Sequence, residues 1–361
     1  MKKFISLLMC VVMIFAVTVT AFAANPDDAQ ALAALFKDGE GPEADGVSID
    51  YVYYEPEVAE GEKLPVVIYF HGMNQGGRPR AQIARNNFSL WASPELQSRF
   101  TGGGAYLIAP RSHEENNEYW PDYFVPAVKA LIDDFISSHA DTVDLSRIYV
   151  GGFSMGGKMT LKMISSYPSY FAAAFPMCPA YPPSEEQIAA FADMPVWLMV
   201  SRFDIIAGYY TFSKDFWETL CEVTTVPTEC RLSLFGVACY PDGRKAMSNH
   251  HVWFAASNDL FTYDEGKYPN MVTTNALNEE ITLESPNGLI SWLCEHTSDY
   301  AGEEIESTGL LEKYPEQNGY FADSIKNAIF PLVLDGTLSL FTEVIPSFFF
   351  IAVSTVRSIF K

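Results

Sequence analysis

The stretch that decides the fold is Arg147-Ile148-Tyr149-Val150-Gly151-Gly152-Phe153-Ser154-Met155-Gly156-Gly157. It begins as an apolar strand, turns sharply at its glycines and continues into a helical stretch that reaches Ser166. Gly152-x-Ser154-x-Gly156 is the nucleophile-elbow pattern, which holds a serine in strained backbone geometry at a strand-to-helix turn. The pattern is weak by itself, but the strand before it and the helix after it are the context that it requires. Ser154 is therefore the predicted nucleophile.

Apolar strand runs alternate with helical stretches on both sides of this segment. Leu64–Phe70 is a continuous apolar run, which is typical of a strand buried on both faces of a sheet. The alternating run at 47–54 predicts a strand at the edge of the sheet. Further strands are predicted at 105–109, 147–151, 172–177, 196–200 and 231–237, and helices at 27–37, 125–138, 156–166, 184–191, 211–223 and 287–295. The alternation predicts an α/β fold with a mostly parallel central sheet flanked by helices.

A base must take the proton of Ser154, because a serine hydroxyl is otherwise a poor nucleophile. In a chain with the order serine, acid, histidine, the base follows the last strand of the sheet. His250 and His251 both lie in the loop after the strand at 231–237. The spacing alone leaves both of them open as the base.

The acid of such a triad holds the imidazole in the correct tautomer and stabilises its charged form. Asp204 comes in the first loop after the strand at 196–200, where ligand-facing side chains of a parallel sheet are expected. Asp242 and Asp259 are rivals, and Asp242 is the better of the two because it lies only eight positions before His250. Asp204 is the predicted acid.

Two backbone amides are needed to stabilise the oxyanion that forms during acyl transfer. The amide of Met155, directly after the nucleophile, is the first predicted donor. The second is the amide of Met73, in the loop His71-Gly72-Met73 that follows the buried strand ending at Phe70. His71 is interpreted as a support for this loop and not as a proton-transfer group.

With these residues placed, the sequence resembles the α/β-hydrolase superfamily. Within it, the sequence is most similar to secreted esterases of the polyhydroxybutyrate-depolymerase and feruloyl-esterase type and to prolyl-oligopeptidase-like catalytic domains. The resemblance covers about residues 47–295 and is carried by 64–72, 144–157, Tyr167-Pro168 and 171–173. The motif His-x-x-Trp recurs as His250-His251-Val252-Trp253, and this resemblance favours His250 as the base.

The sequence also departs from that pattern. Ser201-Arg202 stands before the acid loop where those esterases usually have His-Gly, which affects the assignment of the acid. Residues 254–286 form an insertion before the final helix, interpreted as part of a substrate lid. The residues after Tyr300 match nothing in the resemblance.

The predicted function is a secreted serine hydrolase that cleaves a carboxylic ester through an acyl-enzyme. An ester is favoured over a peptide bond because the roughly forty residues before the first buried strand are too few for a separate gating domain. The alternatives are a prolyl-oligopeptidase-like serine peptidase and a non-catalytic binding protein on a hydrolase scaffold. A substrate pocket is predicted from aromatic residues near the strand ends, namely Trp120, Tyr209, Tyr210 and Trp253.

Dense apolar runs at the two ends of the chain indicate further segments. Residues 1–23 have a basic start, an apolar centre and a final Ala-x-Ala, the pattern of a secretory signal peptide. Residues 24–300 are the predicted catalytic domain, 301–327 an acidic linker and 328–361 an apolar tail. For the tail, membrane association, a helix docked on the domain and disorder all remain open, because Asp335, Glu343 and Pro346 interrupt the run.

Composition narrows the classes of partner and cofactor. The 361 residues are 48% hydrophobic and carry a net charge of −22, or −24 once the two lysines of the signal peptide are removed. This excess of acid argues against binding to nucleic acid, and the expected partner is a small-molecule or polymer-linked ester. The 338 residues after the signal contain five cysteines, an odd number, and no clustered Cys/His spacing. No metal site and no cofactor are predicted.

Overall fold

The computed structural model describes residues 26–73, 83, 86–112, 120–239, 245–246, 248–257, 259, 271–283 and 288–314. The predicted signal peptide at 1–23 and the predicted tail at 328–361 lie outside these residues. Among the helices of the described residues, none combines the length and the apolar character that crossing a bilayer requires.

A sheet runs through the centre of the molecule and has nine strands within the described ranges, in the order β1-β2-β4-β3-β5-β6-β7-β8-β9. The strands are β1 (Lys37–Glu40), β2 (Asp50–Tyr54), β3 (Leu64–Phe70), β4 (Tyr106–Pro110), β5 (Val143–Phe153), β6 (Ala173–Met177), β7 (Trp197–Ser201), β8 (Arg231–Phe235) and β9 (Val272–Asn275). Strands β3 to β8 are parallel to one another. Strand β2 is antiparallel to β1 and β4, and β9 is antiparallel to β8. The prediction of a mostly parallel α/β sheet is confirmed.

Helices cover both faces of this sheet. They are α1 (Pro26–Ala33), α2 (Pro94–Gln97), α3 (Phe124–Ser138), α4 (Met155–Ser166), α5 (Glu185–Ala190), α6 (Lys214–Val223), α7 (Trp253–Ser257), α8 (Leu289–Cys294) and α9 (Leu310–Lys313). Helix α5 begins with a capping box, in which the Ser184 side chain accepts from the amide of Gln187 and the Gln187 side chain accepts from the amide of Ser184.

The alternation of side chains along β3 divides the interior into two cores, one on each face of the sheet. Val67 and Tyr69 join the core beneath α1, α7 and α8, and Val66 and Ile68 join the core beneath α3, α4 and α6. Every residue of β3 is buried. The sequence of β3 is therefore apolar at successive positions because both of its faces are covered.

The two edges of the sheet differ from the prediction. The run at 47–54 was predicted as the edge strand, but β1 pairs outside it, with Lys37 opposite Tyr53. The other edge is β9, which lies inside the predicted insertion at 254–286. Both outer strands are four residues long and carry polar side chains, so neither has the apolar signal of a central strand.

The start of the predicted linker at 301–327 packs against the domain. Thr308 donates from its amide to the carbonyl of Ser166 at 3.0 Å and from its hydroxyl to the carbonyl of Ser165 at 2.8 Å. Leu311 is buried, and the Tyr314 hydroxyl donates to Glu186 at 2.7 Å. Residues 301–314 thus lie on α4 and α5 instead of extending away from them.

Candidate active site

Ser154 lies in the tight turn between β5 and α4, with φ 57° and ψ −118°. Glycine is required on both sides of the turn: a Cβ on Gly152 would lie 2.5 Å from the carbonyl oxygen of Phe70, and one on Gly156 would lie 2.0 Å from the same oxygen. The turn is also held from β6, because the Ser154 amide donates to the Met177 carbonyl at 2.8 Å. A non-glycine residue at positive φ costs energy that the surrounding structure must offset, and such positions cluster at functional sites.

The loops after β7 and β8 bring Asp204 and His250 together. Nδ1 of His250 lies 2.7 Å from Oδ2 of Asp204, and the other carboxylate oxygen accepts from the amides of Ile206 at 2.8 Å and Ala207 at 3.2 Å. Burial raises the pKa of the fully buried Asp204, but the charge of His250 and these hydrogen bonds outweigh it and hold the pKa below its usual value. The carboxylate is therefore ionised, and it directs the free nitrogen, Nε2, of His250 away from itself.

His250 also packs beside the elbow. The ring of Phe153, the residue before Ser154, has its centroid 6.3 Å from that of His250 and 4.0 Å from that of Trp253. Ser154 and His250 are each 6% exposed, whereas Asp204 is inaccessible to solvent. The three residues thus lie at the carboxyl edge of the parallel strands, and Asp204 is the most buried of them.

The rival residues occupy other places. His251 packs its ring on Trp253 at 4.4 Å, and burial together with the neighbouring His250 lowers the pKa of His251 to about 3. Asp259 pairs with Arg99 at 2.7 Å and accepts from the amide of Ile290 at 2.8 Å. Asp242 lies outside the described residues. Of the described candidates, the Asp204–His250 pair is the one in contact.

The two predicted oxyanion donors follow neighbouring strand ends. Phe70 of β3 is in register with Gly152 of β5, and Met73 and Met155 each come three residues after these partners. Met155 is the first residue of α4, so its amide belongs to the helix N-terminus, whose amides have no partner within the helix. Both donors thus stand on adjacent loops at the edge that holds Ser154.

His71 is held as a neutral support of the Met73 loop. Burial lowers the pKa of His71 to about 4. Its Nδ1 lies 2.7 Å from the carbonyl oxygen of Gly72, and its Nε2 accepts from the amide of Ser112 at 3.0 Å. With one nitrogen donating and the other accepting, both positions of the neutral ring are used.

Trp120, predicted in the substrate pocket, is fully buried beside this loop. Its indole donates to the carbonyl of His71 at 2.9 Å, and its ring packs on Phe70 with centroids 5.1 Å apart. The carbonyl of Trp120 accepts from the buried Lys162 of α4 at 3.0 Å, and Lys162 pairs with Asp122 at 2.6 Å. Trp120 therefore connects α4 to the Met73 loop and is not accessible as pocket lining.

The other predicted pocket residues differ in exposure. Tyr209 and Tyr210 are partly exposed in the turn before α6, with ring centroids 5.1 Å apart. Burial raises the pKa of Tyr209 to about 12, so its hydroxyl remains a neutral donor. Trp253 is 5% exposed and packs on Phe153, the residue that precedes Ser154.

Sequence reasoning missed Cys178, which directly follows β6. Its Sγ, an oxygen of Asp204 and a ring nitrogen of His250 all lie within 4.8 Å of one another. These three side chains are the group that could hold a metal among the described residues. The 2.7 Å between Asp204 and His250 is shorter than the roughly 3.3 Å that separates two ligand atoms of a tetrahedral zinc ion, and a cysteine that binds zinc must be a thiolate. The same rule that found Asp204, a polar side chain just after a parallel strand, applies to Cys178.

The fold and this arrangement define an α/β-hydrolase. Residues 46–231, over half of the chain, match the Esterase family. The chain belongs to this family.

The chain is also similar to individual known proteins. The chain is 28% identical over 125 residues to poly(3-hydroxyalkanoate) depolymerase C of Paucimonas lemoignei, covering 31% of this chain and 27% of the depolymerase. A solved thermostable esterase aligns at a TM-score of 0.55 and 21% identity over 74% of this chain and 64% of its own. Acylaminoacyl peptidase of Pyrococcus horikoshii aligns at a TM-score of 0.45 and 17% identity, over 65% of this chain and 42% of its own. The chain thus spans less than two thirds of the length of each of these proteins.

Proposed function

We propose that the protein is a secreted serine hydrolase that cleaves carboxylic esters with Ser154 as nucleophile, His250 as base and Asp204 as acid. The observation that carries the proposal is the buried pair of Asp204 and His250 at 2.7 Å, beside a serine held at φ 57°. The ionised carboxylate fixes the proton on Nδ1 of His250, so Nε2 is the nitrogen available to the serine hydroxyl.

In the proposed reaction, Oγ of Ser154 attacks the ester carbonyl carbon while Nε2 of His250 takes the hydroxyl proton. The carbonyl electron pair moves onto oxygen, where the amides of Met155 and Met73 donate to it. Collapse of this intermediate breaks the bond to the alcohol oxygen, which leaves with the proton from His250. Water then repeats the sequence on the acyl-enzyme, releasing the carboxylic acid and restoring the Ser154 hydroxyl.

An ester substrate is favoured over a peptide. The match to the Esterase family supports it, and the described residues before β3 form α1, β1 and β2, elements of the domain itself. The similarity to a poly(3-hydroxyalkanoate) depolymerase adds polymer-linked esters to the candidates. Turnover of p-nitrophenyl acetate, p-nitrophenyl butyrate, a feruloyl ester and poly(3-hydroxybutyrate), measured beside a Gly-Pro p-nitroanilide, decides between these classes; faster cleavage of the anilide would reject the ester.

Secretion belongs to the same proposal, and the sequence pattern of residues 1–23 supports it. N-terminal sequencing of the protein from culture medium is expected to begin at Ala24. Detergent-free release of the protein would argue against membrane association through 328–361.

The nucleophile is tested with Ser154→Ala. We expect the kcat for p-nitrophenyl butyrate to fall by about 10⁴-fold or more, because no other group can form the acyl-enzyme. The matched control is Ser98→Ala, which removes an exposed hydroxyl bonded only locally, to the carbonyl of Glu95.

The same pair is then exposed to a fluorophosphonate probe, which reacts with activated serines. Labelling of the wild type and Ser98→Ala but not Ser154→Ala is expected. Turnover retained by Ser154→Ala would overturn the mechanism, and an unlabelled wild type would indicate a non-catalytic binding protein.

A further inference from the structure

The Asp204 carboxylate has more hydrogen-bond acceptor sites than His250 and the amides of its own loop occupy. An ionised carboxylate offers about four lone-pair sites. His250 occupies one at 2.7 Å, and the amides of Ile206 and Ala207 occupy two more at 2.8 Å and 3.2 Å. Because Asp204 is fully buried, a remaining acceptor site turned toward apolar atoms would carry a cost.

Cys178 lies next to this carboxylate. It is fully buried, and its Sγ lies within 4.8 Å of both an Asp204 oxygen and a His250 nitrogen. Burial, the charge of Asp204 and a hydrogen bond to that carboxylate raise the pKa of the Cys178 thiol well above its usual value, so the sulfur keeps its proton. A protonated thiol beside an ionised carboxylate is a donor facing an acceptor.

The backbone holds Cys178 in this position at an energetic cost. Cys178 adopts φ 42°, a left-handed conformation that a residue with a Cβ seldom takes. Its amide donates to the Met199 carbonyl of β7 at 2.8 Å, and the carbonyl of Met177 accepts from the Ser154 amide at 2.8 Å. The segment Met177-Cys178 therefore contacts Ser154 through its backbone and places its thiol within 4.8 Å of an Asp204 oxygen.

We propose that Cys178 is a positioning residue, whose thiol donates a fourth hydrogen bond to Asp204 and thereby fixes the carboxylate that orients His250. This inference rests on the proposed function, in which Asp204 is the acid of the triad. The thiol acts in two ways: it restricts the orientation of the carboxylate, and it disperses the negative charge that stabilises a protonated His250.

The charge effect gives the proposal a specific signature in the pH profile of kcat/KM. The acid limb of this profile reports protonation of the base in the free enzyme. Without the thiol, the carboxylate holds the imidazolium more strongly, so a higher pH is needed to free the base. Among the described residues, His251 also interacts with the pair; burial lowers the pKa of His251 to about 3, so it contributes no charge above that pH.

The test compares Cys178→Ala with Cys178→Ser, which restores a donor. For Cys178→Ala we expect kcat to fall about tenfold and the midpoint of the acid limb to rise by about half a pH unit, with KM changed less than about twofold. For Cys178→Ser we expect kcat within about threefold of wild type and a midpoint at or below that of wild type. Cys230→Ala is the matched control, because it removes another buried thiol, next to Met194 and Thr224 before β8.

Three outcomes overturn the proposal: an unmoved midpoint in Cys178→Ala, the same shift in Cys178→Ser as in Cys178→Ala, or the same shift in Cys230→Ala. A second readout needs no substrate and so remains decisive if the protein has no esterase activity. The Nδ1–H proton resonance of His250, assigned by its loss in His250→Gln, is expected to move downfield in Cys178→Ala and to stay near its wild-type position in Cys178→Ser. An unchanged resonance in Cys178→Ala would overturn the proposal even where the proposed function itself has failed.

Discussion

At the scale of single residues, the adjacent imidazoles of His250, which is buried, and His251, which is half-buried, can be compared directly by mutation. We expect His250→Ala to lower kcat for p-nitrophenyl butyrate by about 10⁴-fold, because it removes both the base and the partner of Asp204. His251→Ala should lower kcat less than about tenfold and cost about 1–3 kcal/mol of unfolding free energy, since its ring packs on Trp253.

Steady-state kinetics and urea unfolding of both variants check this expectation. Circular dichroism of each variant serves as the folding control. A larger loss of kcat in His251→Ala than in His250→Ala would reverse the assignment of the base.

The sequence signals behind the candidate site residues are unequal, and the reasons are physical. The elbow pattern and the strand before it pointed to Ser154, and the position after a parallel strand pointed to Asp204. The choice of His250 over His251 came from a family resemblance, because two neighbouring loop residues have the same spacing. Cys178 was passed over because a buried cysteine after a strand is an ordinary core residue, and its meeting with Asp204 depends on how two loops pack.

At the scale of elements, Trp120 links helix α4 to the loop of Met73. Replacing Trp120 by Phe removes the indole N–H that donates to the His71 carbonyl at 2.9 Å and leaves that buried oxygen without this donor. We expect kcat to fall about tenfold with KM nearly unchanged, because the oxyanion donor is needed most in the transition state.

Trp292→Phe is the matched control for this variant. It removes a buried indole donor to the carbonyl of Glu229 at 3.1 Å, just before β8 begins and so at the opposite edge of the sheet from Ser154. Both variants should lose about 1–2 kcal/mol of stability, but only Trp120→Phe should lose kcat. Equal kcat values in the two variants would show that the hydrogen bond from Trp120 to His71 does not affect the active site.

Elements were predicted best where burial is most complete. Strand β3 occupies the predicted residues Leu64–Phe70, because a strand covered on both faces is apolar throughout. The edge strands β1 and β9 were missed, because their pairing comes from the sheet beside them and not from their own polar residues. Trp120 was expected in the pocket because the sequence places it near a strand end. The direction of its indole depends on tertiary packing and could not be read from the sequence.

At the scale of the whole molecule, each of the two cores is closed by contacts between segments far apart in the chain. Thr308 and Leu311 pack against the domain, and Thr308 donates to Ser165 at the end of α4. On the other face, Asp259 ties the loop after α2 to the start of α8, through Arg99 and Ile290, which are 160 and 31 positions away in sequence. Each layer of helices is therefore held by a contact between distant segments of the chain.

The Asp259 contact predicts a pH dependence of global stability. Burial raises the pKa of Asp259 to about 6, against hydrogen bonds from Ile290 and Arg99 that lower it, whereas the unfolded chain has the ordinary value of 3.8. Between these values the folded state binds more protons than the unfolded state, so this contribution to stability is largest below about pH 4 and is lost as the pH rises through about 6. The full difference corresponds to at most about 3 kcal/mol.

In Asp259→Asn nothing titrates at this position, so the stability of the wild type relative to this variant should fall between pH 4 and pH 7. Urea unfolding across this range measures the difference, with the exposed Asp193→Asn as a control that should follow the wild type. Parallel curves for Asp259→Asn and the wild type would show that the carboxylate is ionised throughout and that its pairing with Arg99 outweighs its burial.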